Sequence, residues 1–135
     1  MAELKIASMN VRGIGNNNKR RETFNWLRNK QQSIIFLQEV HCTEATIDTW
    51  RSEWGYKALF SCFSGSSAGV CILFNNNFKF DILKTFSDPP DVILYAILKL
   101  TKNFSPWQTF TLLMKTTRLF LNKFLITYTI LRAKK

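Results

Sequence analysis

Asn10 and Glu39 are the two polar residues whose positions most clearly suggest chemistry in this sequence. The stretch LKIASMN alternates as a short strand that ends at Asn10, and the apolar run SIIFLQ predicts a buried strand that ends just before Glu39. If these strands are neighbours in one sheet, both side chains project from the same edge. Carboxylate and amide oxygens suit a hard cation such as Mg²⁺, which takes one or two protein carboxylates and fills its octahedron with water and phosphate. The sequence therefore predicts a metal site formed by Glu39 and Asn10.

Each polar residue near these strand ends also has a purely structural interpretation. A glutamate after a strand often serves as a cap partner or surface charge, and His41, the chain's single histidine, fits a packing or hydrogen-bonding role. Lys19, Arg20 and Arg21 fit the solvated face of a helix, with phosphate binding as a secondary interpretation.

The surrounding pattern predicts a layered α/β arrangement. KRRETFNWLRNKQQ predicts an amphipathic helix capped by Asn18, and TEATIDTWRSEWG predicts a second helix between Thr43 and Gly55. YKALFSCF, AGVCILF and FKFDILKTF predict three short strands in a meander, followed by strands in VILYAILKL and WQTFTLLM. Three tryptophans have the spacing of buried helix faces and are assigned to the core, namely Trp26, Trp50 and Trp54.

Composition favours one globular domain with an anionic partner. The chain has 135 residues and a formal charge of +10, and no acidic residue follows Asp91. Three cysteines without CxxC spacing are interpreted as reduced thiols of an intracellular protein. Lys115, Arg118 and Lys123 interrupt the one apolar stretch long enough to raise a membrane question, so no spanning helix is expected. An alternative is that residues 107–135 form a basic amphipathic helix on an anionic membrane.

Four segments together resemble the start of an endonuclease/exonuclease/phosphatase domain. They are LKIASMNVRGI, KRRETFNWLRNKQQSIIFLQEVHC, WRSEWGYKALFS and SSAGVCILF, in this order, and the resemblance covers about residues 3–87. The combination of MNVRG with LQEVH is its most specific part. The branch it most resembles is the apurinic-type endonuclease of non-LTR retrotransposons, which is similar to exonuclease III.

The resemblance implies a fold, an activity and a set of site residues. It implies part, about half, of a four-layer α/β sandwich of the DNase I type, and Mg²⁺-dependent phosphodiester hydrolysis in DNA, with Mn²⁺ as a substitute metal. Glu39 then takes the place of the family's metal-ligand glutamate, and Asn10 that of its active-site asparagine. The other residues assigned to DNA contact are Arg12, Lys19, Arg20 and His41. DNA is the expected partner, no small-molecule cofactor is expected, and a nuclear location follows from the family.

The sequence also departs from the family. It contains no Asn-x-Tyr-x-Pro, Gly-Asp-Phe-Asn or terminal Asp-His motif, and Asp88 and Asp91 lie in no matching context. We therefore expect residues 1–100 to be the N-terminal part of such a domain, residues 101–135 to be a divergent, frame-shifted basic tail, and the chain to be truncated and inactive. Half a sandwich would leave an apolar sheet face uncovered. The alternative function is a non-catalytic, basic nucleic-acid-binding remnant.

Overall fold

A computed structural model describes residues 5–62, 69–76, 79–88, 93–100, 108–116 and 122–130. The elements follow in the order β1 (Ile6–Asn10), α1 (Asn17–Asn29), β2 (Ile34–Gln38), a 3₁₀ turn (Glu44–Thr46), α2 (Ile47–Trp54), β3 (Ala58–Ser61), β4 (Val70–Phe74), β5 (Phe80–Asp88), β6 (Ile93–Leu100), β7 (Gln108–Thr116) and β8 (Asn122–Ile130). The strands form mixed and antiparallel sheets with helices alongside, which confirms the expected α/β class.

The eight strands found among the described residues form two sheets of four. The first has the order β1-β2-β4-β3, in which β1 and β2 are parallel and β4 is antiparallel to both β2 and β3. The second has the order β5-β6-β7-β8 and is antiparallel throughout. The expected meander of β3, β4 and β5 is therefore wrong. Because β2 and β3 occupy both edges of β4, β5 cannot pair with β4, and it pairs with β6 in the second sheet.

Both helices pack on one face of the first sheet. Phe24 and Leu27 of α1 and Trp50 and Trp54 of α2 are buried in a single core cluster with alternate residues of β2, β3 and β4. Trp54 is fully buried, and its indole Nε1 donates to the Phe74 carbonyl oxygen at 3.0 Å. Burial of such side chains contributes about 2 kcal/mol each, and the satisfied indole N–H removes the penalty of an unpaired buried donor.

The first helix differs in two details from its prediction. Its cap is Asn16, not Asn18, because the Asn16 Oδ1 accepts from the N–H groups of Asn18 and Lys19 at 2.9 and 3.0 Å. The assignment of Trp26 to the core is wrong: its side chain is 49% exposed, with the Lys30 ammonium over the ring. The second helix ends at Gly55 as predicted, with φ at +87°.

The opposite face of the first sheet is also covered. Every residue of β2 and β4 is buried, including those that point away from the helices, and strands of the second sheet contact β3 and β4. The ring of Phe80, which begins β5, stacks on that of Phe74 with centroids 4.7 Å apart. The expected uncovered face is therefore wrong for this sheet, and the prediction that β2 is buried on both faces is confirmed.

The C-terminal part of the described chain is β-structure. The predicted strands in VILYAILKL and WQTFTLLM correspond to β6 and β7, and β8 follows them. The alternative of an amphipathic helix over 107–135 is wrong for the described residues of that range, because they form β7 and β8, which pair in register. Strands β6 and β7, which lie on either side of residue 100 in the chain, pair in the same sheet. The predicted domain division at residue 100 stays a prediction. Among the described residues, neither helix is long and apolar enough to cross a bilayer.

Candidate functional site

Parallel pairing brings the ends of β1 and β2 to the same edge of the first sheet. Asn10, the last residue of β1, is aligned with Gln38, the last residue of β2, and Glu39 is the next residue along the chain. Because parallel strands end together, the expectation that Asn10 and Glu39 share one edge is confirmed at the level of the backbone. The chemical roles assigned to these residues stay predictions.

Hydrogen bonds extend the pairing beyond the strands, between the strand-end loop (residues 10–14) and the glutamate segment (residues 39–42). Val11 N–H donates to the Gln38 carbonyl at 3.1 Å, Gly13 N–H to that of Glu39 at 2.6 Å, and Ile14 N–H to that of Val40 at 3.2 Å. On the other side, the Val40 N–H donates to the Gly69 carbonyl at 3.1 Å, where β4 begins. The glutamate segment is thus held between two neighbouring stretches of backbone.

Left-handed backbone conformations are concentrated here. Three residues with side chains have positive φ, namely Arg12 (+49°), Glu39 (+53°) and His41 (+57°), and Gly13 has φ +82°. Each non-glycine residue in this region costs about 1–3 kcal/mol, and such residues cluster at functional sites where surrounding contacts hold them. The hydrogen bonds between the loop and the segment supply those contacts.

His41 and Gly13 fit together closely. A Cβ atom built on Gly13 would lie 2.5 Å from Nδ1 and 3.0 Å from Cε1 of the His41 ring. The imidazole of His41 therefore lies against the strand-end loop, and the residue is half-buried. This placement agrees with the packing interpretation. The DNA-contact role expected for His41 stays a prediction. Gly13 was not among the site residues predicted from the sequence, although a glycine beside a predicted strand end is itself a signal for unusual backbone.

The Asn10 side chain is oriented by the loop that follows it. Its Oδ1 accepts from the Arg12 N–H at 3.0 Å, and the residue is exposed. An amide oxygen has two lone pairs and the amide nitrogen two hydrogens. Asn10 therefore presents Nδ2 donors, and one further acceptor position, at the edge of the sheet beside Glu39.

The oxygen donors at this edge fit a hard divalent cation only as a partial ligand set. Glu39 is half-buried, and within the described residues neither an ion pair nor a hydrogen bond engages its carboxylate. The same residues contain no group of three or more His, Cys, Asp or Glu side chains that could hold a metal. A cation bound here would have Glu39 as its carboxylate, with Asn10 nearby and the remaining positions open to water and phosphate.

The cations predicted to contact DNA have different environments. Arg12 is exposed, and among the described residues nothing engages its guanidinium. Lys19 is exposed, but its Nζ donates to the carbonyl oxygens of Val11 and Arg12 at 2.9 and 3.3 Å. Arg20 is only 3% exposed, so its assignment to a DNA-contacting surface is corrected.

Arg20 belongs to the interior. Its guanidinium pairs with Glu53 at 2.5 and 2.9 Å, donates to the carbonyls of Ile14 and Gly15, and lies over the Trp50 ring with its central carbon 4.9 Å from the ring centroid. The hydrogen bond from Arg20 holds the pKa of Glu53 below its ordinary value, against the opposing effect of partial burial. Arg20 thus ties α1 and α2 to the backbone at the end of the strand-end loop.

A disulfide borders the glutamate segment and was not expected. Cys42 and Cys62 are joined, with their Cα atoms 5.2 Å apart, and only Cys71 is free. The expectation of three reduced thiols is therefore wrong: the fold brings the end of the glutamate segment beside the end of β3, although the two cysteines are 20 residues apart in the chain. Burial raises the pKa of the Cys71 thiol, which disfavours its reactive thiolate form.

Comparison with known proteins identifies the family of this chain. The sequence pattern of the endonuclease/exonuclease/phosphatase family matches residues 7–123. The chain belongs to that family. Relatives of this endonuclease/exonuclease/phosphatase chain include the Transposon TX1 uncharacterized 149 kDa protein of Xenopus laevis, which is 30% identical over 92 residues, or 68% of this chain and 7% of that protein. The expected family is confirmed, and the transposon relative supports the retrotransposon branch.

Solved structures similar to this endonuclease/exonuclease/phosphatase chain include those of TDP2 from Caenorhabditis elegans. One is 22% identical with a TM-score of 0.44, covering 98% of this chain and 39% of that chain. A truncated form of the same protein, also 22% identical, gives a TM-score of 0.38 over 85% of this chain and 40% of that one. The chain thus spans well under half the length of these structures and a small fraction of the transposon protein.

Proposed function

We propose that the edge formed by Asn10 and Glu39 binds a divalent cation, Mg²⁺ or Mn²⁺, together with a phosphate of DNA, and that this chain alone does not hydrolyse the phosphodiester. Membership of the endonuclease/exonuclease/phosphatase family supports phosphate-ester hydrolysis as the ancestral reaction. The observation that carries the proposal is the parallel register that aligns Asn10 with Gln38, next to Glu39.

In this proposal, one residue of the site binds the cation and two bind phosphate. Glu39 holds the cation through its carboxylate, and the Asn10 Nδ2, oriented by the bond from the Arg12 N–H to Oδ1, donates to a phosphate oxygen. The exposed Arg12 guanidinium adds a charge-assisted contact to the DNA backbone. A cation held there would neutralise phosphate charge and, in a complete active site, would stabilise the leaving oxygen.

The proposal of inactivity rests on the missing general base. Hydrolysis requires a group that takes a proton from the attacking water, and such a group must lie within hydrogen-bond reach of that water. His41 is the chain's only histidine, and its ring lies against Gly13. Glu39 cannot both hold the cation and act as the base. We therefore propose that hydrolysis needs a general base that this chain alone does not supply.

Metal binding and cleavage test the two halves of the proposal separately. Mn²⁺ binding, measured by electron paramagnetic resonance of free Mn²⁺, should be present in the wild type and lost in Glu39→Gln. The matched control Glu44→Gln, an exposed glutamate in the 3₁₀ turn, should bind as the wild type does. Supercoiled plasmid should stay intact with Mg²⁺. Equal Mn²⁺ binding by wild type and Glu39→Gln would refute the metal role, and EDTA-sensitive nicking lost in Glu39→Gln would refute inactivity.

A metal-independent nucleic-acid-binding function is the second candidate, and the net charge of +10 favours it. This function predicts DNA binding that weakens steeply with salt, since each neutralised phosphate releases counterions. The binding would be the same with EDTA and in Glu39→Gln. A gain in DNA affinity on adding Mg²⁺, lost in Glu39→Gln, would instead support the first function. The nuclear location expected from the sequence stays a prediction.

A further inference from the structure

Lys19 is held both through its backbone and through the end of its side chain. Its backbone N–H donates to the cap residue Asn16, and its Nζ donates to the carbonyl oxygens of Val11 at 2.9 Å and Arg12 at 3.3 Å. An ammonium group has three N–H donors, so two of the three are used inside the protein. Lys19 therefore joins the first turn of α1 to the strand-end loop.

The loop that Lys19 holds is the one that orients the site. The Arg12 N–H donates to the Asn10 Oδ1, while the Arg12 carbonyl accepts from Lys19. One residue later, the Gly13 N–H donates to the Glu39 carbonyl at 2.6 Å. The two carbonyls that bind the Lys19 Nζ therefore belong to the same two peptide units whose N–H groups form the hydrogen bonds that fix the proposed site.

We infer that Lys19 is a positioning residue of the proposed site and not the DNA contact that the sequence predicts. The carbonyl oxygens of Val11 and Arg12 both accept from the Lys19 ammonium, and this shared contact stabilises the left-handed conformation of Arg12, φ +49°. Arginine cannot take this place unchanged, because its planar guanidinium has a fixed donor geometry. This inference rests on the proposed function, because the role of Lys19 is to keep Asn10 placed beside Glu39 in the proposed site.

Paired variants distinguish positioning from phosphate contact. Lys19→Met should weaken Mn²⁺ binding about 10-fold, as loss of a group that orients metal ligands does. Its DNA affinity should fall with salt as steeply as that of the wild type. The control Arg21→Met removes an exposed cation of the same helix that makes no bond to the loop. Arg21→Met should leave Mn²⁺ binding unchanged. Unchanged Mn²⁺ binding in Lys19→Met, with a salt slope reduced by about one, would overturn the inference.

A measurement on the unaltered protein keeps the inference testable if Lys19→Met does not fold. In nitrogen-15 NMR of the lysine ammonium groups, the Lys19 signal should exchange slowly with water and be rigid, unlike that of the exposed Lys57. Adding duplex DNA should leave the Lys19 signal in place. Rapid exchange, or a large shift with DNA, would overturn the inference. A wild type that binds no Mn²⁺ would refute the proposed function alone, because this signal does not depend on metal.

Discussion

The imidazole of His41 occupies the space that a side chain on Gly13 would need. A Cβ atom at Gly13 would be 2.5 Å from Nδ1, and the Gly13 φ of +82° disfavours any residue with a Cβ. These two constraints act on the loop that also carries Asn10 and that bonds to the Glu39 carbonyl. Glycine at this position is therefore required by both conformation and contact.

Gly13→Ala should destabilise the protein and disturb the site together. The left-handed conformation and the contact with His41 should lower the free energy of unfolding by about 2 kcal/mol, and Mn²⁺ binding should weaken. Urea denaturation followed by circular dichroism measures the first effect. Gly15→Ala is the matched control, since nothing lies within 4 Å of the Cβ it would introduce.

The double variant Gly13→Ala/His41→Ala separates the two causes. Removing the imidazole should relieve the contact but not the left-handed conformation, so only part of the lost stability should return. Full recovery of stability in the double variant would mean that the contact with His41 is the whole cause. If Gly13→Ala alone lost no stability, the close approach of the His41 ring to Gly13 would be contradicted.

The disulfide between Cys42 and Cys62 should stabilise the fold and leave one thiol. Closing a loop over a separation of 20 residues stabilises by about 3 kcal/mol in the chain-entropy account, so Cys42→Ser/Cys62→Ser should lose about that much. A thiol assay of the unfolded, non-reduced protein should titrate one cysteine, Cys71, which should react slowly in the folded protein because it is buried. Titration of three thiols would disprove the pairing. Dithiothreitol should destabilise the wild type but not the double variant.

Hydrophobic pattern was sufficient to predict most elements of the first sheet and its helices. The run SIIFLQ became a strand buried on both faces, and Trp50 and Trp54 lie in the core as their spacing indicated. The edge that holds Asn10 and Glu39 followed from the same reasoning, because two neighbouring parallel strands place their ends together. The spacing of apolar residues and the position of polar ones are local properties of the sequence. The strands and helices of the first sheet follow mainly from them.

Contacts between distant segments could not be read from the pattern. Lys19 and Arg20 are adjacent and equally charged, yet Lys19 is exposed and bonds the carbonyls of Val11 and Arg12, whereas Arg20 is buried against Glu53, a residue of the second helix. The assignment of Trp26 to the core failed for a related reason: the helix buries the side of Phe24 and Leu27, and Trp26 lies outside that side. Helical spacing shows which residues lie on the same face of a helix. It does not show how much of the helix surface the rest of the fold buries.

Trp26 and Trp54 should respond in opposite ways to truncation. Trp54→Ala removes a fully buried ring and its bond to the Phe74 carbonyl, so the free energy of unfolding should fall by about 3–5 kcal/mol. Trp26→Ala changes a half-exposed ring, and its effect should stay within about 0.5 kcal/mol. Thermal and urea denaturation of both variants measure the difference. A large loss in Trp26→Ala would show that a partner or a second copy covers this side of α1.

The ion pair of Arg20 with Glu53 should make stability depend on pH in acid. Arg20 lowers the pKa of Glu53 in the folded state, so the folded protein binds this proton less readily than the unfolded chain. The stabilisation is therefore complete above the unfolded-state pKa, 4.5, and is lost as pH falls toward the lower folded-state value. Glu53→Gln should cost about 2 kcal/mol at neutral pH, less than a fully buried pair because the Glu53 side chain is 21% exposed.

The difference between wild type and Glu53→Gln should therefore shrink as the solution is acidified below the ordinary glutamate pKa. Urea denaturation at a series of pH values measures it, and Asp48→Asn is the control. Asp48 is 98% exposed and lies 3.7 Å from Arg51, so its removal should change stability little at any pH. A constant difference between wild type and Glu53→Gln from neutral to acid pH would show that the carboxylate charge is not what Arg20 requires. A hydrogen bond from Arg20, which the amide oxygen of glutamine can also accept, would then account for the contact between residues 20 and 53.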